Sequence, residues 1–407
     1  MRPRRRFVFL VLTLLAAGCA TPLATRDEFV KRPYLQRPTT TEATVRWSTA
    51  SPRACLVTYA LEEKRSRTSR IPPEPVAAVE VQPFDFVGTR RREYLFRLRP
   101  ALLKPGATYT YAVRCGESRH QGTFRTSPSP SGPLAPSAFT FIAYGDSRSG
   151  WDVHAELTSR FLNHRPAFIL HTGDMVRRDT AERWQKNFFD PLGPTLAYVP
   201  LWPARGNHEG AAHYYRKYLD LPGGKTYYSF DYGNAHFVCL DSTGSVEESR
   251  MLEWCETDLA ASKARWKFVF YHHPSYDVAG HLSHWGRKDF LPVFRKYGVD
   301  VVLTGHSHSY QRFHPMYTKG ENQARPITHI VTGGGGAPLT TIKRSRPHVA
   351  AARIEYHYMV FQVAGDMLSC RVINDAGKEI DAFRIKKIDG QPDAASRAAA
   401  MREETFR

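Results

Sequence analysis

Seven positions at the ends of strand-like runs carry side chains of the kind that hold metal ions: Asp146, Asp174, Asn207 with His208, His272, His306 and His308. Carboxylates, an amide oxygen and imidazoles make a mixed oxygen and nitrogen set suited to zinc, iron or manganese, with no soft thiolate in it. The residues follow apolar runs that read as strands. The run 139–144 leads into Gly145-Asp146, and 167–172 into Gly173-Asp174. The run 267–271 leads into His272-His273-Pro274, and 299–303 leads to Gly305-His306-Ser307-His308. Gly206-Asn207-His208-Glu209 supplies the remaining polar cluster. Any one of these motifs is common. Their conjunction, in that order on one framework, is what carries information.

The elements that position these residues follow from the periodicity. Strand-like runs alternate with helical ones such as 152–163, which implies an α/β sheet whose ligand crevice lies beyond the strand ends. After residue 327 the pattern returns to strands, with 360–385 reading as closing hairpins. Tyr227 to Tyr232 before Gly233-Asn234 reads as one strand of a hairpin. Gly333 to Gly336 lacks the Lys-Ser/Thr of a phosphate loop, so a bulge where backbone meets backbone near the ligand residues is the expected reading. Tyr214 and Tyr215 are expected in the core rather than at the cleft mouth. Residues 29–127 are different in kind: short alternating segments, Pro- and Gly-bearing turns and a buried-looking Trp47 suggest an immunoglobulin- or fibronectin-type β-sandwich. A Pro/Ser linker over 128–138 separates the sandwich from the α/β region, and a charge- and Ala-rich tail over 389–407 reads as a frayed helix or a disordered end.

The chain has 407 residues, 42% hydrophobic and 24% charged, with a formal net charge of +18. That composition excludes a largely disordered or collagen-like chain, and no stretch reaches the ~20 apolar residues of a spanning helix. Residues 1–18 have the basic start and short apolar run of an export signal. It ends in Leu15-Ala16-Ala17-Gly18-Cys19, which resembles a bacterial lipobox, so Cys19 is expected to be acylated and to tether an exported protein, with the outer membrane favoured. Cleavage would remove four arginines and no acid, lowering the charge from +18 to +14. Such a surplus suits anionic partners, phosphorylated small molecules or peptides among them; no nucleic-acid-binding signature accompanies it. Of the cysteines beyond Cys19, Cys55 and Cys115 fall on strands of the sandwich and could pair, and the odd count leaves at least one thiol free.

With those motifs in place, the chain from about residue 29 to 385 resembles the calcineurin-like metallophosphoesterases, specifically bacterial relatives of the purple acid phosphatases. The resemblance implies a fibronectin III-like N-terminal sandwich, a four-layer α/β/β/α domain over 139–385, and two metal ions (iron, zinc or manganese) that activate a hydroxide. Carried over, Asp174 bridges the ions, Asp146 and His308 complete the first seat, and Asn207, His272 and His306 form the second. His272 rather than His273 fills the ligand place of the family's His-x-Pro pattern. His208 matches the histidine that contacts the phosphoryl group and can protonate the leaving group, and His281 is a second candidate phosphate contact.

Two positions depart from the pattern. Purple acid phosphatases carry a tyrosine three residues after the bridging aspartate; here Arg177 stands there, so a colourless protein is expected. Other metallophosphoesterases carry a histidine two residues after the first aspartate; here it is Arg148. Three readings are open: a weaker first ion completed by water, an Arg148 guanidinium that grips phosphoryl oxygens, or a site that binds without catalysing. Phosphomonoester hydrolysis is the expected activity and phosphodiester hydrolysis the runner-up. A catalytically silent surface-binding lipoprotein, or a polyanion-binding module sensitive to salt, would be the alternative of another class.

Overall fold

The computed structural model describes residues 28–62, 77–81, 92–98, 103–129, 138–244, 246–281, 283–317, 326–343, 346–388, 391–392 and 401–402. The export signal, Cys19 and most of the expected linker lie outside the described residues.

Among the described residues, seven strands form the N-terminal part: β1 (Phe29–Gln36), β2 (Ala43–Thr49), β3 (Cys55–Leu61), β4 (Ala77–Val81), β5 (Arg92–Leu98), β6 (Thr108–Cys115) and β7 (Ser118–Arg125). Sheet β4-β3-β6-β7 faces β1-β2-β5, and the core between them gathers Val45, Trp47, Val57, Tyr94, Tyr111 and Val113. Trp47 is fully buried and stacks on Tyr94 with ring centroids 5.1 Å apart, the central aromatic that the sequence pointed to. Cys55 and Cys115 stand directly opposite each other on β3 and β6 and are joined by a disulfide. Cys239, Cys255 and Cys370 are free and buried.

The rest is built on β8 (Ala138–Tyr144), β9 (Ile169–His171), β10 (Leu201–Pro203), β11 (Tyr228–Tyr232), β12 (Ala235–Cys239), β13 (Trp266–Phe270), β14 (Val301–Thr304), β15 (Tyr310–Phe313), β16 (Met316–Tyr317), β17 (Thr328–Thr332), β18 (Val349–Arg353), β19 (His357–Ala364), β20 (Met367–Asn374) and β21 (Glu379–Ile388). One sheet has the order β11-β12-β13-β14-β17-β15-β18; the other runs β21-β20-β19-β8-β9-β10-β1-β2-β5. The second order holds a result the sequence did not predict. β1 pairs in parallel with β10 through Gln36 and Leu201, so one face of the sandwich continues the sheet that carries the ligand residues. Side chains lock the junction: Tyr34 Oη donates to Tyr218 O at 3.0 Å, Asp220 N donates to Gln36 Oε1 at 2.7 Å, and Tyr111 Oη donates to Ala197 O at 2.9 Å. The two expected bodies are thus joined through backbone pairing and not by the 128–138 segment alone.

Strand periodicity explains the layers. Phe237 and Phe268 turn toward the opposing sheet, where they meet Phe141 and Phe361. Their neighbours Val238 and Val269 turn the other way, onto Met251, Cys255 and Leu259 of the helix Glu248–Ala261 and onto Leu291 and Phe294 of the helix Phe290–Lys296. Phe141 stacks on Phe361 at 4.8 Å and meets Phe237 and Phe268 edge-on, each at 5.4 Å. Burying each such ring contributes about 1.5–3 kcal/mol. With Leu157 of the helix Trp151–Ser159 and Leu192 of the helix Asp190–Leu196 covering the other flank, the expected α/β/β/α stack is present.

Smaller expectations resolve in the same way. Val360 to Ile385 does form antiparallel hairpin strands. Tyr215 is fully buried and Tyr214 packs against the core. In the tail, Gln391–Pro392 pairs with β21 and Met401–Arg402 with β16. The other residues of 389–407 lie outside the described residues, and with them most of the segment expected as a frayed helix or a disordered end.

Candidate metal centre

The strand ends deliver their residues to one place. β8 leads to Asp146, β9 to Asp174 and β10 to Asn207 and His208 on one sheet; β13 leads to His272 and β14 to His306 and His308 on the other. Asp146, Asp174 and His306 adopt left-handed backbone, with φ of 59°, 58° and 67°. Non-glycine residues seldom do so, and such turns concentrate where structure serves a site. Two glycines clear the space. A Cβ on Gly206 would lie 2.2 Å from Asp174 Oδ1, and one on Gly333 would lie 2.2 Å from Ser307 O and 2.9 Å from Asp146 Oδ2. The glycine run therefore packs backbone against the ligand loop, as its sequence suggested.

Hydrogen bonds fix which atoms face the centre. His272 Nδ1 donates to Thr172 O at 2.9 Å, so its Nε2 presents a lone pair. That lone pair faces Asn207 Oδ1 at 3.0 Å and Asp174 Oδ1 at 3.5 Å, with His306 Nδ1 at 3.3 Å. Acceptors converge on acceptors, an arrangement that a bound cation satisfies and hydrogen bonding alone does not. The residues therefore fit a metal ion at this seat. His273, passed over for His272 in the sequence, joins the same group: its ring lies 4.4 Å from that of His306, and candidate ligand atoms of His272, His273 and His306 lie within 4.8 Å of one another. Its Nδ1 is 3.1 Å from Ser242 Oγ, a partner from a distant loop.

The other seat differs. His308 Nδ1 donates to Pro338 O at 2.7 Å, leaving Nε2 3.5 Å from Asp146 Oδ1. Asp146 Oδ1 is buried and accepts no hydrogen bond from the described residues. Arg148 enters here. Its Nε lies 3.2 Å from Asp174 Oδ2 as an ion pair, and its Nη2 lies 3.3 Å from His308 Nε2.

Burial sets the electrostatics. It pushes the His306 ring down to about 2, helped by the neighbouring His272 and His273, and the His308 ring down to about 4. His272 is driven the same way by burial and by His273. Neutral imidazoles are what a metal needs. Burial and then Asp174 push the Asp146 carboxyl up, the penalty of two buried acids side by side.

Glu209 is the residue whose role sequence reasoning missed. Its carboxylate accepts the N–H groups of Gly206 at 2.7 Å, Asp174 at 2.9 Å, Met175 at 2.8 Å and Val176 at 3.2 Å. It ties the β9 turn to the β10 turn and so sets Asp174 against Asn207. The Gly-Asn-His-Glu spacing was the available signal, a glutamate at the third position of a short turn.

Two further histidines reach the open side. His208 donates its backbone N–H to Asp174 Oδ1 at 2.9 Å and its Nδ1–H to Arg177 O at 3.0 Å, which turns Nε2 toward Asp174 Oδ2 at 3.8 Å. The His281 ring lies 5.1 Å from His306 and 5.2 Å from His308, so it belongs to the site rather than to an exposed loop. The Arg177 side chain is exposed, and only its carbonyl takes part.

Comparison with known proteins agrees with this geometry. Residues 139–310 match the calcineurin-like phosphoesterase family. An uncharacterized protein of Mycobacterium tuberculosis is 28% identical over 303 residues, covering 59% of this chain and 57% of that protein; the chain thus spans just over half of that relative's length. Mouse acid phosphatase type 7 is 29% identical over 322 residues, covering 66% of this chain and 71% of its own length. The structure of a purple acid phosphatase from yellow lupin seeds superposes with a TM-score of 0.69 at 19% identity, covering 90% of this chain and 75% of that one, a likeness of fold. Residues 139–310 thus resemble the calcineurin-like phosphoesterases, and acid and purple acid phosphatases are among the proteins to which the chain is similar.

Proposed function

We propose that this chain hydrolyses phosphate monoesters with the help of metal held at the ends of β9, β10, β13 and β14. The observation that carries the reading is the convergence of His272 Nε2, Asn207 Oδ1 and Asp174 Oδ1, with the histidine nitrogen 3.0 and 3.5 Å from the two oxygens and His306 Nδ1 beside them. A bound ion supplies Lewis-acid activation of water and of the ester oxygen there. The chain's own groups do the remainder. Asp174 holds the seat from one sheet, and His272 and His306 from the other, so neither sheet alone makes the site. His208, with Nδ1 committed to Arg177 O, carries or receives its mobile proton at Nε2, on the side where a leaving oxygen departs. His281 flanks the same opening as a phosphate contact. Arg148 supplies fixed positive charge beside Asp174.

The expectation of two ions separates into two unequal halves. The seat of Asn207, His272 and His306 has donor atoms free to coordinate; the seat of Asp146 and His308 also holds a guanidinium. The sandwich is read as fibronectin III-like, and the chain as an exported lipoprotein tethered through Cys19. The composition of residues 1–19 and the seven-strand arrangement support these readings.

The test is turnover of p-nitrophenyl phosphate and bis-p-nitrophenyl phosphate by metal-stripped protein, with zinc, manganese or iron added back and Asp174→Ala alongside. Metal-restored turnover of the monoester that the variant lacks supports the proposal. A preference for the diester would replace it with a phosphodiesterase, and silence on both esters with every metal would favour a surface-binding protein.

A further inference from the structure

We propose that the Arg148 guanidinium occupies the place of a second metal ion, so that the chain works with one ion, held by Asn207, His272, His306 and Asp174. The inference rests on the metal-dependent reading of this site and specifies how its charge is supplied.

Two of the three groups that a first-seat ion would need already face the guanidinium, while Asp146 Oδ1 accepts no hydrogen bond from the described residues. Such an ion would take Asp146, Asp174 Oδ2 and His308 Nε2. Arg148 Nε lies 3.2 Å from Asp174 Oδ2, and Arg148 Nη2 lies 3.3 Å from His308 Nε2. His308 gives its Nδ1–H to Pro338 O at 2.7 Å, so Nε2 has a single lone pair, and Nη2–H points at it. That lone pair cannot serve a guanidinium and a metal together.

Charge gives the same answer. Arginine stays protonated in proteins, and the Arg148 side chain is only 13% exposed beside an Asp174 carboxylate that is 2% exposed. One dication with the guanidinium sets three positive charges against the carboxylates of Asp146 and Asp174. Two dications would set five, in a poorly solvated space where like charges repel strongly. Arg177 brings no compensating ligand: it turns its side chain to solvent and contributes only a carbonyl, already taken by His208. The third nitrogen of Arg148, Nη1, makes a long contact of 3.4 Å to Ser149 Oγ. It is the N–H best placed to meet a phosphoryl oxygen in the manner of an arginine clamp.

The test counts metal and reads its magnetism, independently of turnover. Metal-stripped protein is loaded with manganese(II), desalted, and measured by elemental mass spectrometry and electron paramagnetic resonance. The expected result is about one manganese per chain with the signal of an isolated ion for the wild type, and about two per chain with an exchange-coupled signal for Arg148→Ala. Two coupled ions in the wild type would overturn the inference. So would an Arg148→Ala chain that still holds only one, or a wild type that holds none. If the variant does not fold, the wild-type count and spectrum decide. A two-ion chain that turns over p-nitrophenyl phosphate would refute the one-metal inference and leave the hydrolase reading intact. A one-ion chain silent on both esters would do the reverse.

Discussion

At the N-terminal ends of β12 to β14, His236 lies 2.8 Å from Asp231 Oδ1 through Nδ1 and 2.8 Å from Asp258 Oδ2 through Nε2. Nearby, Asp300 takes Lys387 Nζ on both oxygens, at 2.7 and 2.8 Å, and the backbone N–H of Lys267 at 2.9 Å. In these contacts each donor meets an acceptor. At the C-terminal ends, where this sheet meets the one that carries Asp146 and Asn207, His272 and Asn207 bring acceptor against acceptor, and Asp146 Oδ1 accepts nothing from the described residues. The histidines respond in opposite directions. His236 opposes burial with two carboxylates and rises to about 9, while burial takes His306 down to about 2. Closed circuits of polar groups hold a fold together; open ones invite a ligand. The difference separates structure from site without reference to any relative.

The strongest way to break this contrast is Asp174→Ala. Turnover on p-nitrophenyl phosphate should fall by about 10³-fold, the order of loss when a charge aimed at the reacting centre is removed, while relief of the Asp146–Asp174 repulsion offsets part of what the stranded Arg148 charge costs in stability. A variant within tenfold of wild type would remove Asp174 from the centre. At the other end, Lys387→Met should leave turnover per folded molecule unchanged and cost about 3–5 kcal/mol in urea unfolding, since it strands the buried Asp300 charge. A loss under about 1 kcal/mol would show that the Lys387–Asp300 pair is not the closed circuit described.

Glu209→Gln tests the tie between the β9 and β10 turns. Replacing one carboxylate oxygen with a donor sets N–H against N–H, and turnover and metal affinity should each fall by about 10–100-fold, as when a partner of a ligand is disturbed. Unchanged metal affinity would mean Asp174 is positioned without it. The smallest effect concerns His236. Its folded value stands above the ordinary 6.5, at about 9, so its stabilisation is present in full below about pH 6.5 and fades as pH rises toward 9. Because Asp231 is largely exposed, the loss should be about 1–2 kcal/mol rather than the full worth of the shift. In His236→Asn that portion of the stability profile should flatten; an unaltered slope would assign the pH dependence to another group.

Much of the centre was legible in the sequence because parallel strands present their C-terminal ends together, so local runs ending in Asp, Asn or His mark one crevice. Asp146, Asp174, Asn207, His272, His306 and His308 were found that way, and the geometry gathers all of them, with His208 and His281 beside them. What escaped depends on distant contacts. His273 is drawn into the group by Ser242, a partner from the loop after β12. The continuity of the sandwich with the ligand-bearing sheet rests on the pairing of Gln36 with Leu201, and no local pattern announces a shared edge. Arg148 was visible as a departure, but its contact with both Asp174 and His308 needed β8, β9 and β14 to be in register.

The decisive measurement is anomalous diffraction from crystals of the metal-stripped protein soaked with zinc, recorded at the zinc edge. A peak is expected among Asn207, His272, His306 and Asp174, with none between Asp146 and His308 and none beside His236. A centre without a peak, or a zinc ion coordinated by His236 and its two aspartates, would contradict the assignment of an open metal seat at one end of the sheet and a closed polar circuit at the other.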